Sequence, residues 1–264
     1  MLSIKNLSIT FTNEFAVEAV HDVSLNIAPG ERLGLVGESG SGKTMLALAI
    51  SGLYPRSTTR ISGEVLFNGT DILKCSSKEL CRLRGKEIGM VFQEPMTSLN
   101  PLMKVGRQIE ETLKMHTNTP PTRRRELALE AMESVELPDP KLTYEKYPHQ
   151  LSGGQRQRAM IASAIIADPK LLIADEATTA LDVTSQSQII DLLARINERH
   201  GVAILFISHD LSVIRRLCNR VAVMHAGKIV EDSSTQAVFE NPKDDYTKRL
   251  IAAIPTRDKR RRQT

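Results

Sequence analysis

The chain has 264 residues, of which 41% are hydrophobic and 25% are charged; these fractions are typical of a globular protein and exclude disordered and low-complexity classes. No stretch of about 18 consecutive apolar residues occurs, so we expect no membrane-spanning helix. The three cysteines show no metal-site spacing, which argues against a zinc site or a disulfide scaffold. Aromatic residues make up only 4% of the chain, too few for a base-stacking nucleic-acid platform.

The net charge of +4 is a property of the C-terminal tail. Residues 257–264 contain five basic residues and one acidic residue, so residues 1–256 balance at 30 of each sign. This distribution does not predict a basic nucleic-acid-binding face. We interpret the tail as a solvated terminus, with weak attraction to an anionic membrane surface as the alternative.

Apolar patterns predict an alternation of strands and helices along the chain. Strand patterns occupy residues 2–11, 23–27, 32–36, 63–67, 88–92, 171–174, 203–207 and 221–224. Helical patterns occupy residues 43–53, 105–116, 122–135, 153–167, 183–199 and 211–218. Because strands and helices alternate on both sides of a mainly helical stretch, we expect an α/β fold with a parallel core sheet and an inserted helical subdomain.

A glycine-rich loop lies between a predicted strand and a predicted helix and fits the P-loop pattern G-x-x-x-x-G-K-[ST]. Its residues are Gly37, Glu38, Ser39, Gly40, Ser41, Gly42, Lys43 and Thr44. In such a loop the backbone N–H groups point at phosphate oxygens, and the helix N-terminus adds positive potential. Lys43 can reach the β- and γ-phosphates, and the Thr44 hydroxyl can ligate Mg²⁺. The sequence therefore predicts a site for a magnesium-bound nucleoside triphosphate.

Two adjacent acids follow the buried strand pattern at residues 171–174. Adjacent strand residues point to opposite faces of a sheet, so we expect the two carboxylates to have separate roles. We assign Asp175 to Mg²⁺, through a water molecule, and Glu176 to polarising the attacking water. Taken alone, the pair would equally fit an exposed acidic turn.

A second glycine-containing helix start comprises Ser152, Gly153, Gly154 and Gln155. Ser152 is a good N-cap, and the glycines leave backbone N–H groups open, which makes a second anion-binding helix start. The P-loop amides already surround one set of phosphates, so if both elements serve one nucleotide, the second would come from another subunit. Taken alone, the pattern fits a simple capped helix better.

Two further polar residues each follow a predicted strand. His209 follows residues 203–208 and could sense or orient a γ-phosphate. Gln93 follows residues 88–92 and could reach Mg²⁺ or the attacking water. Both assignments depend on the P-loop.

These motifs, in this order, resemble those of the ATP-binding cassette ATPases of ABC transporters. The resemblance covers almost the whole chain and implies an α/β fold: a P-loop NTPase (RecA-like) core, an N-terminal antiparallel β-subdomain and an inserted α-helical subdomain. It implies a single ATPase domain over residues 1–264. Its parts would be the core with its β-subdomain (1–93 and 168–240), the helical subdomain (94–167), and a C-terminal helix with a basic tail (241–264).

The same resemblance implies the cofactors, ATP and Mg²⁺, and the partners. Two ATPase subunits would pair head to tail, each ATP lying between one P-loop and the Ser152–Gln155 segment of the other subunit. Gln93 would be the Q-loop residue, Asp182 would belong to the D-loop at residues 180–182, and His209 would be the switch histidine. An aromatic residue would stack on adenine, with Phe11 preferred and Phe15 as the alternative.

Residues 83–101 and 241–255 resemble the dipeptide/oligopeptide/nickel importer branch of the family. That branch implies two transmembrane permease subunits, an extracytoplasmic solute-binding protein, and a place at the cytoplasmic face of the membrane. A paralogous ATPase is favoured over a second copy as the dimer partner.

The sequence departs from the pattern of this branch at two places. Ala177 stands where proline usually follows the acidic pair, and Asp244-Asp245 stands where His-Pro is common. The cargo stays open between peptides and nickel or another metal chelate.

Two other functions fit a cassette ATPase. One is work on ribosomes or DNA, which the single cassette and the balanced charge of residues 1–256 disfavour. The other is a regulatory cassette that binds nucleotide without hydrolysis, which Asp175, Glu176 and His209 disfavour.

Overall fold

The computed structural model describes residues 1–12, 16–93, 98–179 and 181–254. Its strands, in chain order, are β1 (Leu2–Phe11), β2 (Val17–Ile27), β3 (Arg32–Val36), β4 (Thr59–Phe67), β5 (Thr70–Asp71), β6 (Ile88–Val91), β7 (Leu171–Asp175), β8 (Ala203–Ser208), β9 (Arg220–His225) and β10 (Lys228–Ser234).

The α-helices of the same residues are α1 (Lys43–Ile50), α2 (Ser77–Leu83), α3 (Val105–His116), α4 (Pro121–Ser134), α5 (Pro140–Glu145), α6 (Gly153–Ile165), α7 (Val183–His200), α8 (Leu211–Leu217), α9 (Thr235–Glu240) and α10 (Asp245–Ala252). Short 3₁₀ turns occupy Ile72–Lys74 and Pro148–Gln150. Within the described part of the chain, no helix combines the length and the apolar character needed to cross a membrane.

A six-stranded sheet in the order β10-β9-β3-β8-β7-β6 forms the centre of the fold. Neighbouring strands from β9 to β6 run parallel, and β10 pairs antiparallel with β9. Every residue of β7 and β8 is buried, as expected for parallel strands covered on both faces. The C-terminal ends of β3, β7 and β8 therefore lie along one edge of the sheet, where open α/β sheets bind ligands.

Alternating residues of the central strands pack into two different hydrophobic cores. Ile173 and Leu205 belong to a core shared with α1 and with the small antiparallel sheet β2-β1-β4-β5. Leu172 and Phe206 belong to a core shared with α3, α4, α6, α7 and α8. Because successive side chains of a strand point to opposite faces, one face of the central sheet packs against the β-subdomain and α1, and the other face packs against α3, α4, α6, α7 and α8.

The α/β fold class predicted from the sequence is confirmed by this architecture. The predicted helix at residues 43–53 ends earlier, at Ile50, because Ser51 and Gly52 terminate it, with Gly52 at φ +66°. The second strand begins six residues before the predicted residue 23, because its pairing with β1 continues through register shifts that break the apolar alternation. Periodicity also did not predict α2, α5, α9, β5 and β10, which are short or largely polar.

Candidate functional site

The glycine loop joins the end of β3 to the start of α1 and packs tightly against its neighbours. A Cβ on Gly37 would lie 2.1 Å from the Met224 carbonyl oxygen. Gly42 has φ +103°, and a Cβ there would lie 2.3 Å from the Ala19 carbonyl oxygen. Both positions require glycine, because backbone atoms of β9 and β2 leave no room for a side chain.

Lys43 folds back into the loop that precedes it. Its side chain is only 5% exposed, and Nζ donates hydrogen bonds to the carbonyl oxygens of Gly37 and Glu38, each at 2.8 Å. Burial lowers the pKa of the Lys43 ammonium, an effect that the carboxylates of Glu176, Asp175 and Glu38 oppose. The loop therefore holds a positive charge within its own curve, where a phosphate oxygen would compete with the two carbonyls.

Asp175 ends β7 beside the loop and is 4% exposed. Burial raises the pKa of its carboxyl group and the nearby Glu176 carboxylate adds to the effect, whereas the Thr44 hydroxyl, hydrogen-bonded to Asp175, and the Lys43 ammonium lower it. Among the described residues, Asp175 Oδ1 is buried without a hydrogen-bond partner. An unpartnered buried carboxylate oxygen beside a threonine hydroxyl fits the oxygen ligands of a hard cation such as Mg²⁺.

Glu176 brings together residues from three strand ends. Its carboxylate accepts hydrogen bonds from Gln93 Nε2 at 2.8 Å and Thr179 Oγ1 at 3.1 Å, and it lies 3.4 Å from His209 Nδ1. Glu176 has φ +46°, and its N–H donates to the Ile207 carbonyl oxygen at 3.0 Å. The expectation that strand alternation sets its direction is wrong, because the residue has left the extended conformation; the left-handed turn sets its direction instead.

A cavity of about 830 Å³ opens above these residues. It is lined by ten of the predicted residues: Phe11, Glu38, Ser39, Gly40, Gly42, Lys43, Thr44, Gln93, Glu176 and His209. Phe15, the alternative to Phe11, lies outside the described residues. Sequence reasoning missed the wall formed by Val17, Glu18, Ala19, His21, Met45, Ala226 and Gly227. Most of this wall comes from the first half of β2. The sequence did not predict a strand there, so these residues were not recognised as neighbours of the P-loop.

The second predicted phosphate-binding element, Ser152–Gln155, does not belong to the described lining of this cavity. Ser152 caps α6 in a reciprocal pair with Gln155: the Gln155 N–H donates to Ser152 Oγ at 3.3 Å, and the Ser152 N–H donates to Gln155 Oε1 at 3.0 Å. A Cβ on Gly153 would lie 3.8 Å from the Leu181 side chain, and one on Gly154 would lie 3.7 Å from Ser185 Oγ, so neither position is crowded within its own chain. None of the predicted residues in this element is among the described residues that line the 830 Å³ cavity.

Asp182 lies close to that element and caps α7. Its carboxylate accepts hydrogen bonds from the Thr184 and Ser185 N–H groups, each at 3.0 Å, and from the Ser185 hydroxyl at 2.7 Å. The Ser185 hydroxyl and these amides hold the pKa of Asp182 below its usual value. Asp182 is likewise not among the cavity's described lining residues. Ala180, the first residue of the predicted D-loop, lies outside the described residues.

A phosphate-binding loop at the end of a parallel strand of a mainly parallel sheet, with a carboxylate and polar side chains at the neighbouring strand ends, defines a P-loop nucleotide-hydrolase site. The sequence matches the family described as ABC transporter over residues 20–179. It is 46% identical over 258 residues to the oligopeptide transport ATP-binding protein OppD of Bacillus subtilis (strain 168), covering 97% of this chain and 72% of that protein. OppD of Lactococcus lactis subsp. cremoris (strain SK11) is 43% identical, covering 97% of this chain and 76% of that protein.

Among solved structures, the chain resembles the ATP-binding cassette MJ0796, solved as a dimer in a post-hydrolysis state bound to ADP and Pi. The TM-score is 0.80 at 31% identity, covering 89% of this chain and 99% of that one. The chain belongs to the ABC transporter family. It is an ABC-type ATPase, which confirms the activity implied by the motifs in its sequence.

Proposed function

We propose that the chain is the ATP-hydrolysing subunit of a peptide importer, held at the cytoplasmic face of the membrane by two permease subunits. The cargo assignment is supported by relatives at 43–46% identity that are named oligopeptide transport ATP-binding proteins. Nickel or another metal chelate, which the sequence also left open, has no such support among these relatives.

The observation that carries the catalytic part of the proposal is the meeting of Gln93, Glu176 and His209, which line the same cavity as Lys43. In this arrangement the loop amides and Lys43 bind the ATP phosphates. Glu176 takes a proton from the attacking water, and its contacts with Gln93 and His209 orient the carboxylate for that role. Phe11, at the end of β1 and on the cavity wall, stacks on adenine.

Thr44, Asp175 and Gln93 are the residues proposed to hold Mg²⁺, with Asp175 acting through water. The donors fit the ion, because the unpartnered Asp175 oxygen and the Thr44 hydroxyl are hard oxygen ligands. When bound, the ion supplies positive charge that offsets the negative charge of the phosphates. Lys43 contributes the protein's own positive charge at the same place.

The Ser152–Gln155 segment is proposed to complete the site of a second ATPase subunit in a head-to-tail dimer, and Asp182 to lie at that contact. Support comes from the uncrowded surroundings of Gly153 and Gly154 and from the absence of this segment from the described residues that line the cavity of its own chain. The partner is a paralogous ATPase or a second copy of this chain. An extracytoplasmic solute-binding protein would deliver the cargo to the permeases without touching this subunit.

Asp175→Asn tests the magnesium site. We expect ATP hydrolysis to fall about 10- to 100-fold, as for groups that hold a metal through its outer shell. Burial raises the pKa of Asp175, so above that raised pKa its carboxylate costs folding free energy. The variant should therefore melt at a higher temperature than the wild type at neutral pH in EDTA, and the gain should shrink as the pH falls toward the ordinary aspartate pKa.

The control is Asp191→Asn on the exposed surface of α7, where the carboxylate pairs with Arg216 at 2.6 Å. We expect unchanged hydrolysis and at most a small fall in melting temperature from this variant, because the pair is about half exposed and solvent screens it. A lower melting temperature for Asp175→Asn in EDTA, or undiminished hydrolysis, would contradict the assignment.

The cargo is tested by reconstituting the chain in proteoliposomes with its permease subunits, its partner ATPase and the cognate binding protein. We expect peptide-loaded binding protein to stimulate ATP hydrolysis and to drive uptake of radiolabelled peptide. Glu176→Gln in the same vesicles provides the inactive control. Stimulation by a nickel chelate, with none by di- or oligopeptides, would replace the peptide assignment.

A further inference from the structure

The last described helix touches the start of the P-loop through one side chain. Tyr246, in the first turn of α10, is 6% exposed, and its hydroxyl oxygen accepts a hydrogen bond from the Glu38 backbone N–H at 3.0 Å. The two residues are separated by 208 positions in the sequence. None of the sequence motifs pointed to this contact.

That hydrogen bond fixes one end of a peptide group whose other end holds Lys43. The Glu38 N–H and the Gly37 carbonyl belong to the same peptide plane and point in opposite directions. Tyr246 binds the N–H end, and Lys43 Nζ binds the carbonyl end at 2.8 Å. Because the plane is rigid, a hydroxyl that holds one end also aims the other end at the ammonium group.

Tyr246 is itself held firmly by polar contacts at the start of α10. The carboxylate of Glu231, on β10, accepts hydrogen bonds from the Lys243 N–H at 3.0 Å and the Asp244 N–H at 3.1 Å. Asp244 Oδ1 in turn accepts from the Tyr246 N–H at 2.8 Å and caps the helix. The start of α10 is therefore tied to the central sheet rather than to solvent.

The aromatic ring of Tyr246 adds a second link to the nucleotide cavity. It stacks on His225, with ring centroids 3.9 Å apart and an angle of 24° between the planes. His225 ends β9 and is followed directly by Ala226 and Gly227, which line the cavity. The Gly227 N–H also donates to the Ser41 carbonyl oxygen of the P-loop at 3.1 Å.

From this geometry we propose that Tyr246 is a positioning residue for nucleotide binding: its hydroxyl holds the Gly37–Glu38 peptide plane, and with it the curve of the P-loop backbone that surrounds the phosphates. The inference rests on the proposed role of the P-loop and Lys43. Tyr246 lies on the C-terminal helix α10 and contacts neither nucleotide nor metal. It would influence nucleotide binding only through the backbone of the P-loop.

Tyr246→Phe removes the hydroxyl and keeps the ring that stacks on His225. The Glu38 N–H then lacks its partner in a part-buried place, and the loop loses the group that orients it. We expect binding of MgADP, measured by isothermal titration calorimetry, to weaken about three- to tenfold. KM for MgATP should rise by a similar factor while kcat stays at the wild-type value, because the phenol takes no part in the chemical step.

Tyr144→Phe is the matched control. Tyr144 is also buried, and its hydroxyl donates to Glu110 within the helical segment, away from the cavity. Its loss should lower the melting temperature and leave the MgADP affinity unchanged. Hydrogen exchange of the Glu38 amide, followed in the full chain without nucleotide, should accelerate in Tyr246→Phe and not in Tyr144→Phe.

Wild-type MgADP affinity in Tyr246→Phe, equal weakening in Tyr144→Phe, or unchanged Glu38 exchange would overturn the inference. Lys43→Ala, measured alongside, separates this result from the proposed function. Loss of binding in Lys43→Ala with wild-type binding in Tyr246→Phe refutes only the role of Tyr246. Wild-type binding in Lys43→Ala refutes the role of the P-loop lysine itself.

Discussion

Replacing Glu176 with glutamine is expected to lower steady-state ATP hydrolysis about 10²- to 10⁴-fold, the usual contribution of a general base. Glutamine keeps the length and shape of the side chain and its hydrogen-bonding contact with Gln93, but it cannot take a proton from water. ATP should still bind, because the loop and Lys43 are unchanged. The bound ATP should then accumulate in a closed dimer, seen as a shift in gel filtration with MgATP.

Glu198→Gln is the matched control, since Glu198 lies exposed on α7 and pairs with Arg32 at 3.7 Å. This change should leave both hydrolysis and the elution volume as in the wild type. Wild-type turnover in Glu176→Gln would refute the role of Glu176 as the base. A loss of ATP binding together with turnover would instead indicate that Glu176 supports the structure of the site.

The second large effect is expected from Lys43→Ala, which should weaken MgATP binding about 10- to 100-fold, the range for losing charge-assisted hydrogen bonds. The ammonium now bonds to two loop carbonyls at 2.8 Å. In the complex it would exchange them for phosphate oxygens, which carry a full negative charge. Equilibrium titration with a fluorescent ATP analogue measures the loss directly.

Lys170→Ala provides the comparison for a lysine on the surface. Lys170 is 60% exposed and pairs with Glu87 at 2.9 Å, so its removal should change ATP affinity little. Should Lys43→Ala bind MgATP as tightly as Lys170→Ala, the P-loop lysine would have no part in nucleotide binding.

The P-loop could be found from the sequence because its chemistry is local. The glycines, Lys43 and Thr44 are consecutive, and a short apolar strand before them and a helical pattern after them give the required context. Asp175 and Glu176 were found for the same reason, directly after a four-residue apolar run. Gln93 and His209 were predicted because each follows a predicted strand, and their observed contacts with Glu176 agree with parallel strands ending at one edge of their sheet.

The cavity wall could not be found in this way. Residues 17–22 mix charged and apolar positions, and the bulged pairing of β2 with β1 hides the alternation that would mark a strand. β10 reads as polar, with the sequence Lys-Ile-Val-Glu-Asp-Ser-Ser, and becomes a strand by pairing with β9. In both strands the backbone partner decides the conformation, and that partner is set by the fold.

By itself, the sequence determined the fold class, the phosphate-binding loop and the identity of its acidic and polar neighbours, because each depends on residues close together in the chain or on the direction of parallel strands. Only the tertiary structure decided the turn that aims Glu176, the wall of the cavity and the contact of Tyr246 with Glu38. Those features depend on backbone groups from distant segments meeting within hydrogen-bonding distance. These long-range hydrogen bonds depend on how the two hydrophobic cores pack against the central sheet, and no local sequence pattern predicts that packing.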